Sequence, residues 1–228
     1  MNGLEFGLGG QRARLLADRA LWLPELGALL VADVHIGKAA AFRRLGTPVP
    51  EATTTGTLQR LSALLHFTTA RRLLVLGDLL HSAQASEGAP AAAFAAWRAR
   101  HAEVALTLVA GNHDRRAGPP PAAWALQAVD EPFTLAPGLA LAHHPCEVPG
   151  HYVLAGHVHP AVVLASRGPG ALRLPCFHFG PHCGVLPAFG EFTGSHVVRL
   201  QPGERAFVVA DGEVREWAPP RAAAPARP

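Results

Sequence analysis

Histidine, aspartate and asparagine recur in one order along this chain, each time where an apolar run ends: Asp33-Val34-His35, Gly77-Asp78 with His81 beyond, Gly111-Asn112-His113-Asp114, the pair His143-His144, and Gly156-His157-Val158-His159. Any one fragment alone is an ordinary turn sequence. The ordered set, with no member missing, is a ligand set for two divalent cations. Residues i and i+2 of a strand face the same way, so Asp33 and His35 at a strand end can bind one ion together while Val34 packs inward. Asp78, at the next strand end, is placed to bridge two ions with its two oxygens. Such a bridge sets the ions about 3.5–4 Å apart, where one hydroxide touches both and can attack phosphorus. Asn112 adds a neutral amide oxygen, which limits the negative charge that would repel a phosphate substrate.

His157 and His159 repeat the i, i+2 spacing, with Gly156 letting the backbone turn close to the ions and Pro160 ending the run. His143 completes the set; its neighbour His144 is expected to point to the opposite face, as adjacent residues of an extended chain do. His113 follows a ligand and precedes an acid. It is expected to protonate the leaving oxygen or stabilise charge on the phosphate, worth roughly 10²–10⁴-fold in rate, with Asp114 fixing its tautomer. Carboxylate, imidazole and amide ligands suit manganese first, and iron or zinc, better than magnesium or calcium.

Around this set lie cations that a phosphate could use. Lys38 is the only lysine, so nearly all positive charge is guanidinium, which grips phosphate through two parallel hydrogen bonds. Arg115 and Arg116 follow the Gly111–Asp114 run, and Lys38, Arg43 and Arg44 follow the first ligand pair. Two such groups flanking one cleft suit a polynucleotide backbone; solvated loops are the plainer reading. Cys176, His178, His182 and Cys183 resemble a zinc cluster in residue type but not in spacing, and a core strand with its turn is the alternative.

Three short, nearly continuous apolar runs, 28–33, 72–77 and 104–110, each stop at a candidate ligand, the pattern of strands covered on both faces. Helical segments at 39–45, 57–67 and 91–101 alternate with them, which implies a parallel α/β arrangement with the ligands in the crevice beyond the strands' carboxyl ends. After about residue 128 short strands separated by Gly and Pro (139–142, 152–155, 162–165, 172–179, 196–200, 206–210) imply a mostly antiparallel sheet packed on the first. Residues 82–90 read as a flexible loop near the site. The Pro- and Ala-rich stretch 218–228 reads as a disordered tail behind a single domain at 1–217.

With 228 residues, 49% hydrophobic and 16% charged, the chain can bury one sizeable core. No run approaches the roughly 20 apolar residues of a membrane span, and the first ten residues lack the pattern of a secretory signal, so a cytoplasmic protein is expected. Its three cysteines are an odd number without Cys-x-x-Cys spacing, so reduced thiols are expected rather than disulfides. The net charge of +3 is compatible with a polyanionic partner without pointing to one.

Taken whole, the chain resembles the calcineurin-like metallophosphoesterases, and among them the ligase-associated DNA damage response endonuclease (PdeM-type) family. The resemblance rests on the strings at 33–39 (DVHIGKA), 42–50 (FRRLGTPVP), 77–81 (GDLLH), 97–101 (WRARH), 156–160 (GHVHP), 174–177 (LPCF) and 186–194 (LPAFGEFTG). It implies a four-layer α/β/β/α sandwich, two divalent ions and hydrolysis of phosphodiester bonds in DNA. It also implies a place in bacterial DNA repair beside a ligase and an exonuclease. Carried over, it puts Asp33, His35, Asp78 and His159 at one ion, Asp78, Asn112, His143 and His157 at the other, and His113 at the catalytic position. Two departures stand out: His81 where many relatives carry an acid or arginine, and His143-His144-Pro145 where the nearer family has His-Glu-Pro. The first leaves the role of His81 open, and the second bears on the choice between His143 and His144. The rival readings are a phosphatase or nucleotide pyrophosphatase on a small substrate, since the same centre serves all of these, and a scaffold that keeps the fold without turnover. The complete ligand set argues against the last.

Overall fold

The computed structural model describes residues 3–44, 46–47, 53–165, 171–191 and 193–218. Part of the 42–50 string and nearly all of the 218–228 tail lie outside them. The first sheet runs in the order β1 (Gly3–Leu8), β2 (Gln11–Leu16), β3 (Ala20–Leu23), β4 (Ala28–Ala32), β5 (Arg72–Leu76), β6 (Ala105–Val109) and β7 (Leu126–Val129). Strands β4 to β7 are parallel, as the alternation of apolar runs and helices requires, and β1 to β4 are antiparallel. The helices are α1 (Lys38–Arg44), α2 (Thr53–Thr68), α3 (Gly88–Arg100) and α4 (Asn112–Ala117).

The strands β4 and β5 read as unbroken apolar runs because both of their faces are covered. Leu29, Val31, Leu73 and Val75 meet the helices, whereas Leu30, Leu74 and Leu76 meet the second sheet. On the helical side α2 presents Leu58, Leu61, Leu64 and Leu65, and α3 presents Phe94 and Trp97. Phe94 lies 4.5 Å, centroid to centroid, from Trp124. The Trp97 indole N–H donates to the Ser62 hydroxyl at 2.9 Å, tying α3 to α2. Residues 82–90, expected as a loop, instead form a 3-10 turn (Ala83–Ser86) and the first turn of α3. Gly88 and Pro90 disguise this start, although proline is well tolerated in a helix's first turn.

The second sheet contains β8 (Phe133–Ala136), β9 (Leu139–Leu141), β10 (Tyr152–Ala155), β11 (Pro160–Ala165), β12 (Ala171–Phe179), β13 (Cys183–Val185), β14 (His196–Val197), β15 (Arg205–Ala210) and β16 (Glu213–Trp217). Its pairings are mostly antiparallel, but β10 lies parallel to both β9 and β13, and β11 lies parallel to β14. The two sheets face each other across Leu15, Leu21, Leu139, Leu141, Leu154, Phe177 and Phe207, making the sandwich that the sequence implies. All of the described helices precede residue 125. Among the described residues the outer face of the second sheet is therefore closed by Val198, Leu200 and Trp217 packing on Val162, Cys176 and Val208, not by a helix. No helix among the described residues is long and apolar enough to cross a membrane.

This architecture brings the candidate ligands together. The parallel strands β4, β5 and β6 end at Asp33, Gly77-Asp78 and Gly111-Asn112 on one edge, and the parallel pair β9 and β10 ends at His143 and Gly156-His157 on the facing edge. Phe94→Ala is expected to cost about 3–5 kcal/mol, because it empties a fully buried aromatic position between α3 and the sheet. Urea unfolding should show a lower midpoint at unchanged slope; a shift under 1 kcal/mol would mean that this face is not closely packed.

Candidate metal centre

The loop after β4 lies alongside the loop after β5. The Asp33 N–H donates to the Gly77 carbonyl at 3.2 Å, that of His35 to Asp78 at 2.8 Å, and that of Ile36 to Leu79 at 2.8 Å. Within this frame the backbone is left-handed at Asp33 (φ 53°), His35 (φ 51°), Asp78 (φ 49°), His157 (φ 69°) and His159 (φ 51°). Side chains other than glycine rarely adopt that conformation, and each instance costs on the order of 1–2 kcal/mol. The common orientation of Asp33 with His35, and of His157 with His159, thus arises beyond the strand ends and not from the alternation of a strand.

Asp33, His35 and Asp78 are buried, as is His143. The Asp33 Oδ1 and both ring nitrogens of His35 are buried without any hydrogen-bond partner among the described residues. His159 Nε2 is 3.5 Å from Asp33 Oδ1. Around His143 Nε2 converge Asn112 Oδ1 at 3.0 Å, His157 Nδ1 at 3.1 Å and Asp78 Oδ1 at 3.6 Å. Donor atoms sharing one ion at about 2.1 Å lie roughly 3–3.5 Å apart, so these spacings fit two adjoining cation sites. Donor atoms gather in three overlapping groups: Asp33 with His35 and His159, Asp33 with Asp78 and His143, and His143 with His144 and His157.

The imidazoles present the lone pairs that metal binding needs. Burial pushes His35 down to about 2, with the charge of Lys38 and the neighbouring imidazoles of His159, His113 and His81 adding to it, so the ring is neutral. Burial likewise lowers His157. His143 Nδ1 lies 3.2 Å from the Leu76 carbonyl and His159 Nδ1 lies 3.0 Å from the Gly194 carbonyl. An N–H donated at each of those positions leaves Nε2 free toward the carboxylates. Gly77 (φ 77°) is required by contact as well as by conformation, since a Cβ there would fall 2.0 Å from His143 Nδ1. At Gly156 a Cβ would lie 2.7 Å from the Leu76 carbonyl and 2.8 Å from Asp33 Oδ2.

A solved nuclease, MPE of Pseudomonas putida, is 44% identical over 95% of this chain and 100% of that one, with a TM-score of 0.83. The chain belongs to the metallophosphoesterases, in the same family as that nuclease. A solved phosphoesterase from E. coli, YfcE, is 16% identical over 82% of this chain and 95% of that one, with a TM-score of 0.41. No protein-family model and no curated protein matches.

In this metallophosphoesterase His113 stands at the mouth of the centre, its Nε2 4.0 Å from Asp78 Oδ2. Its tautomer is not set by Asp114 as expected: His113 Nδ1 lies 2.8 Å from the His81 carbonyl, and the His81 ring stacks on it at 5.2 Å. The Asp114 carboxylate instead accepts the N–H groups of Leu80 at 2.9 Å and Gly111 at 3.0 Å, pinning the loop after β5 to the start of α4. Burial raises its pKa to about 6 against those hydrogen bonds.

His144 does not turn away from the cluster. Residues 143–144 form a bend and not a strand, and the His144 ring lies 4.4 Å from that of His157. Glu131, which nothing in the sequence singles out, explains the bend. Its Oε2 accepts both the His143 and His144 N–H groups at 2.8 Å, and its Oε1 lies 2.9 Å from His144 Nδ1. Burial works to raise the Glu131 carboxyl, but these bonds and Arg115 outweigh it and hold it at about 2.

Arg115 is engaged with Glu131 at 3.2 Å and Asp130 at 3.7 Å, so it braces this corner instead of reaching into the cleft. Arg116 is exposed on the same helix, and Arg43 lies on α1. Lys38 opens α1 close enough that Asp33 and Asp78 oppose the lowering of its pKa by burial. Cys176, His178, His182 and Cys183 form no metal cluster among the described residues: Cys176 packs in the outer core and His178 meets Glu204 at 3.0 Å. All three cysteines are free thiols.

Gly77→Ala is expected to reduce metal content at least tenfold after dialysis, because its methyl displaces His143. Elemental analysis of the purified variant checks this, with circular dichroism to confirm that the fold persists. Retention of full metal content would show that His143 is not a ligand.

Proposed function

We propose that the protein is a phosphodiesterase that cleaves DNA using two divalent ions, held by Asp33, His35, Asp78 and His159 on one side and by Asp78, Asn112, His143 and His157 on the other. One observation carries the reading: Asp33 Oδ1 and the two ring nitrogens of His35 are buried without a hydrogen-bond partner among the described residues, beside the carboxylate of Asp78 and the imidazoles of His143, His157 and His159. Buried polar atoms are almost always satisfied. Ions held there would lower the pKa of a water toward neutrality and would supply positive charge for the phosphate oxygens.

The chain's own residues do the rest. Asp78 presents two oxygens, of which Oδ1 also accepts the His113 N–H at 2.9 Å. His113, with its Nδ1–H held by the His81 carbonyl, keeps Nε2 at the mouth, where the doubly protonated ring donates the Nε2 proton to the leaving oxygen or a hydrogen bond to the phosphate. Lys38 and Arg43, on the helix that follows the first candidate ligand pair, are the cations this reading assigns to the phosphate backbone. Similarity to the Pseudomonas putida nuclease supports a nucleic acid as the substrate. Manganese is the metal we propose from the mixture of carboxylate, imidazole and amide donors. A cytoplasmic role in DNA repair alongside a ligase and an exonuclease is the cellular setting we propose.

With manganese, the protein is expected to hydrolyse bis(p-nitrophenyl) phosphate and single-stranded DNA, and to lose both activities with a chelator. Cleavage of p-nitrophenyl phosphate alone would make it a phosphomonoesterase. His113→Ala should keep the metals while kcat falls roughly 10²–10⁴-fold, whereas Asp78→Asn should lose metal and turnover together. An empty centre in purified His113→Ala, seen by elemental analysis, would show His113 to be a ligand.

A further inference from the structure

Next to the metal centre, and sharing His159 with it, lies a cavity of about 160 Å³ whose walls include Arg19, Arg173, Thr193, Gly194 and Ser195. None of these residues takes part in the hydrolysis described above. Arg19 closes the turn between β2 and β3 in a left-handed conformation (φ 62°), with its N–H donating to the Leu16 carbonyl at 3.0 Å. A long charged side chain gains nothing locally from that conformation, and backbone strain of this kind collects at ligand sites. The Arg19 guanidinium is half-buried and reaches the Ala188 carbonyl at 3.4 Å. Burial lowers its pKa, against the pull of Glu191 and Asp18.

A second guanidinium stands nearby. Arg60 lies 4.2 Å above the ring of Phe189 and also donates to the Phe189 carbonyl, and its Nε is buried without a hydrogen-bond partner among the described residues. Glu191 is 3.7 Å from it, and Arg19 and Arg60 repel each other. Arg173, exposed on β12, has no carboxylate partner among the described residues. Three guanidinium groups against Asp18 and Glu191 leave positive charge in excess. The Ser195 hydroxyl adds a donor at the wall, while that of Thr193 donates to the Gly190 carbonyl at 3.4 Å and presents its oxygen. The stretch that carries them also places the Gly194 carbonyl 3.0 Å from His159 Nδ1, so an occupant of the cavity sits against a residue that orients a metal ligand.

We propose that this cavity holds the phosphate next to the scissile one in a nucleic-acid strand, with Arg19 and Arg173 as its cationic grips. This rests on the nuclease reading and names where the substrate extends. Guanidinium with hydroxyl donors is the chemistry that grips a phosphodiester monoanion. A small diester with a single phosphate does not reach the cavity, whereas an oligonucleotide does.

The test uses Arg19→Gln, Arg173→Gln and the double variant. Glutamine retains an N–H donor for the Ala188 carbonyl, and Arg173 is exposed, so Arg173→Gln alone carries the test if the other variants fail to fold. Two quantities are measured: kcat/KM on oligothymidylate and on bis(p-nitrophenyl) phosphate, and the salt dependence of oligothymidylate binding by fluorescence anisotropy. For the double variant the loss on oligothymidylate should exceed the loss on the small diester by about tenfold, and the slope of log Kd against log salt should become shallower by about 0.7 per phosphate contact removed. Equal losses on both substrates would overturn the proposal by showing that the arginines act on the metal centre. So would a loss on oligothymidylate with an unchanged salt slope, which assigns the cavity to a base or sugar. If the unaltered protein hydrolyses neither substrate the nuclease reading fails, and the anisotropy slope still decides what the cavity holds.

Discussion

The fold is arranged around polar atoms that the protein itself leaves unsatisfied. Asp33 Oδ1 and the ring nitrogens of His35 are buried without a hydrogen-bond partner among the described residues, each at a cost of about 1–3 kcal/mol. The left-handed backbone at five ligand positions adds to this deficit. A chain folding only for its own stability would not retain such a region. It is held by what surrounds it: an apolar layer between β4 to β6 and the helices, and another between the two sheets. A local deficit of this kind persists when the neighbouring packing over-determines it.

The loops are tied to one another mainly by carboxylates that accept backbone N–H groups. Asp33 Oδ2 accepts the His157 N–H at 2.9 Å, while Oδ1, 3.5 Å from His159 Nε2, accepts no hydrogen bond among the described residues. Asp78 gives Oδ1 to the His113 N–H. In the same way Asp114 joins the loop after β5 to α4, and Glu131 gathers His143 and His144. The candidate ligand loops at 78–80, 111–113, 143–144 and 157 are thereby fixed by acids, whereas the loop after β4 is held by the carbonyls of Gly77, Asp78 and Leu79. A ligand carboxylate tied through one oxygen keeps its orientation while the other oxygen stays available.

The candidate ligands that the fold brings together are legible in the sequence because each occurs where an apolar run stops, a signal that survives without any knowledge of the fold. The parallel strands β4 to β6 were legible for the same reason, since burial on both faces leaves no polar residue to interrupt them. The hairpin of β1 and β2 went unread although Gly9 and Gly10 both have positive φ, the conformation of a tight two-residue turn. The Asp211-Gly212 turn between β15 and β16 is of the same kind. Glu131 could not have been found, because its partners are backbone N–H groups twelve and thirteen residues away, brought to it only by the fold. Strand alternation does not set His144 apart from His143 for a related reason: it requires an extended chain, and Glu131 bends this one.

The role of Asp114 shows how a sound chemical expectation can attach to the wrong partner. A histidine followed by an acid suggests a dyad, but both residues lie in the first turn of α4, where the acid accepts N–H groups of the helix start and of the adjoining loop. The orienting function passes to His81, which acts on His113 in two ways. Its carbonyl meets Nδ1, and its ring, pushed down to about 4 by burial and by the charges of Lys38 and His113, is neutral and stacks on the imidazole. An acid or arginine at position 81 could still offer the carbonyl but not a neutral aromatic face. The departure at position 81 therefore changes the surface against which His113 rests without altering the hydrogen bond that sets its tautomer.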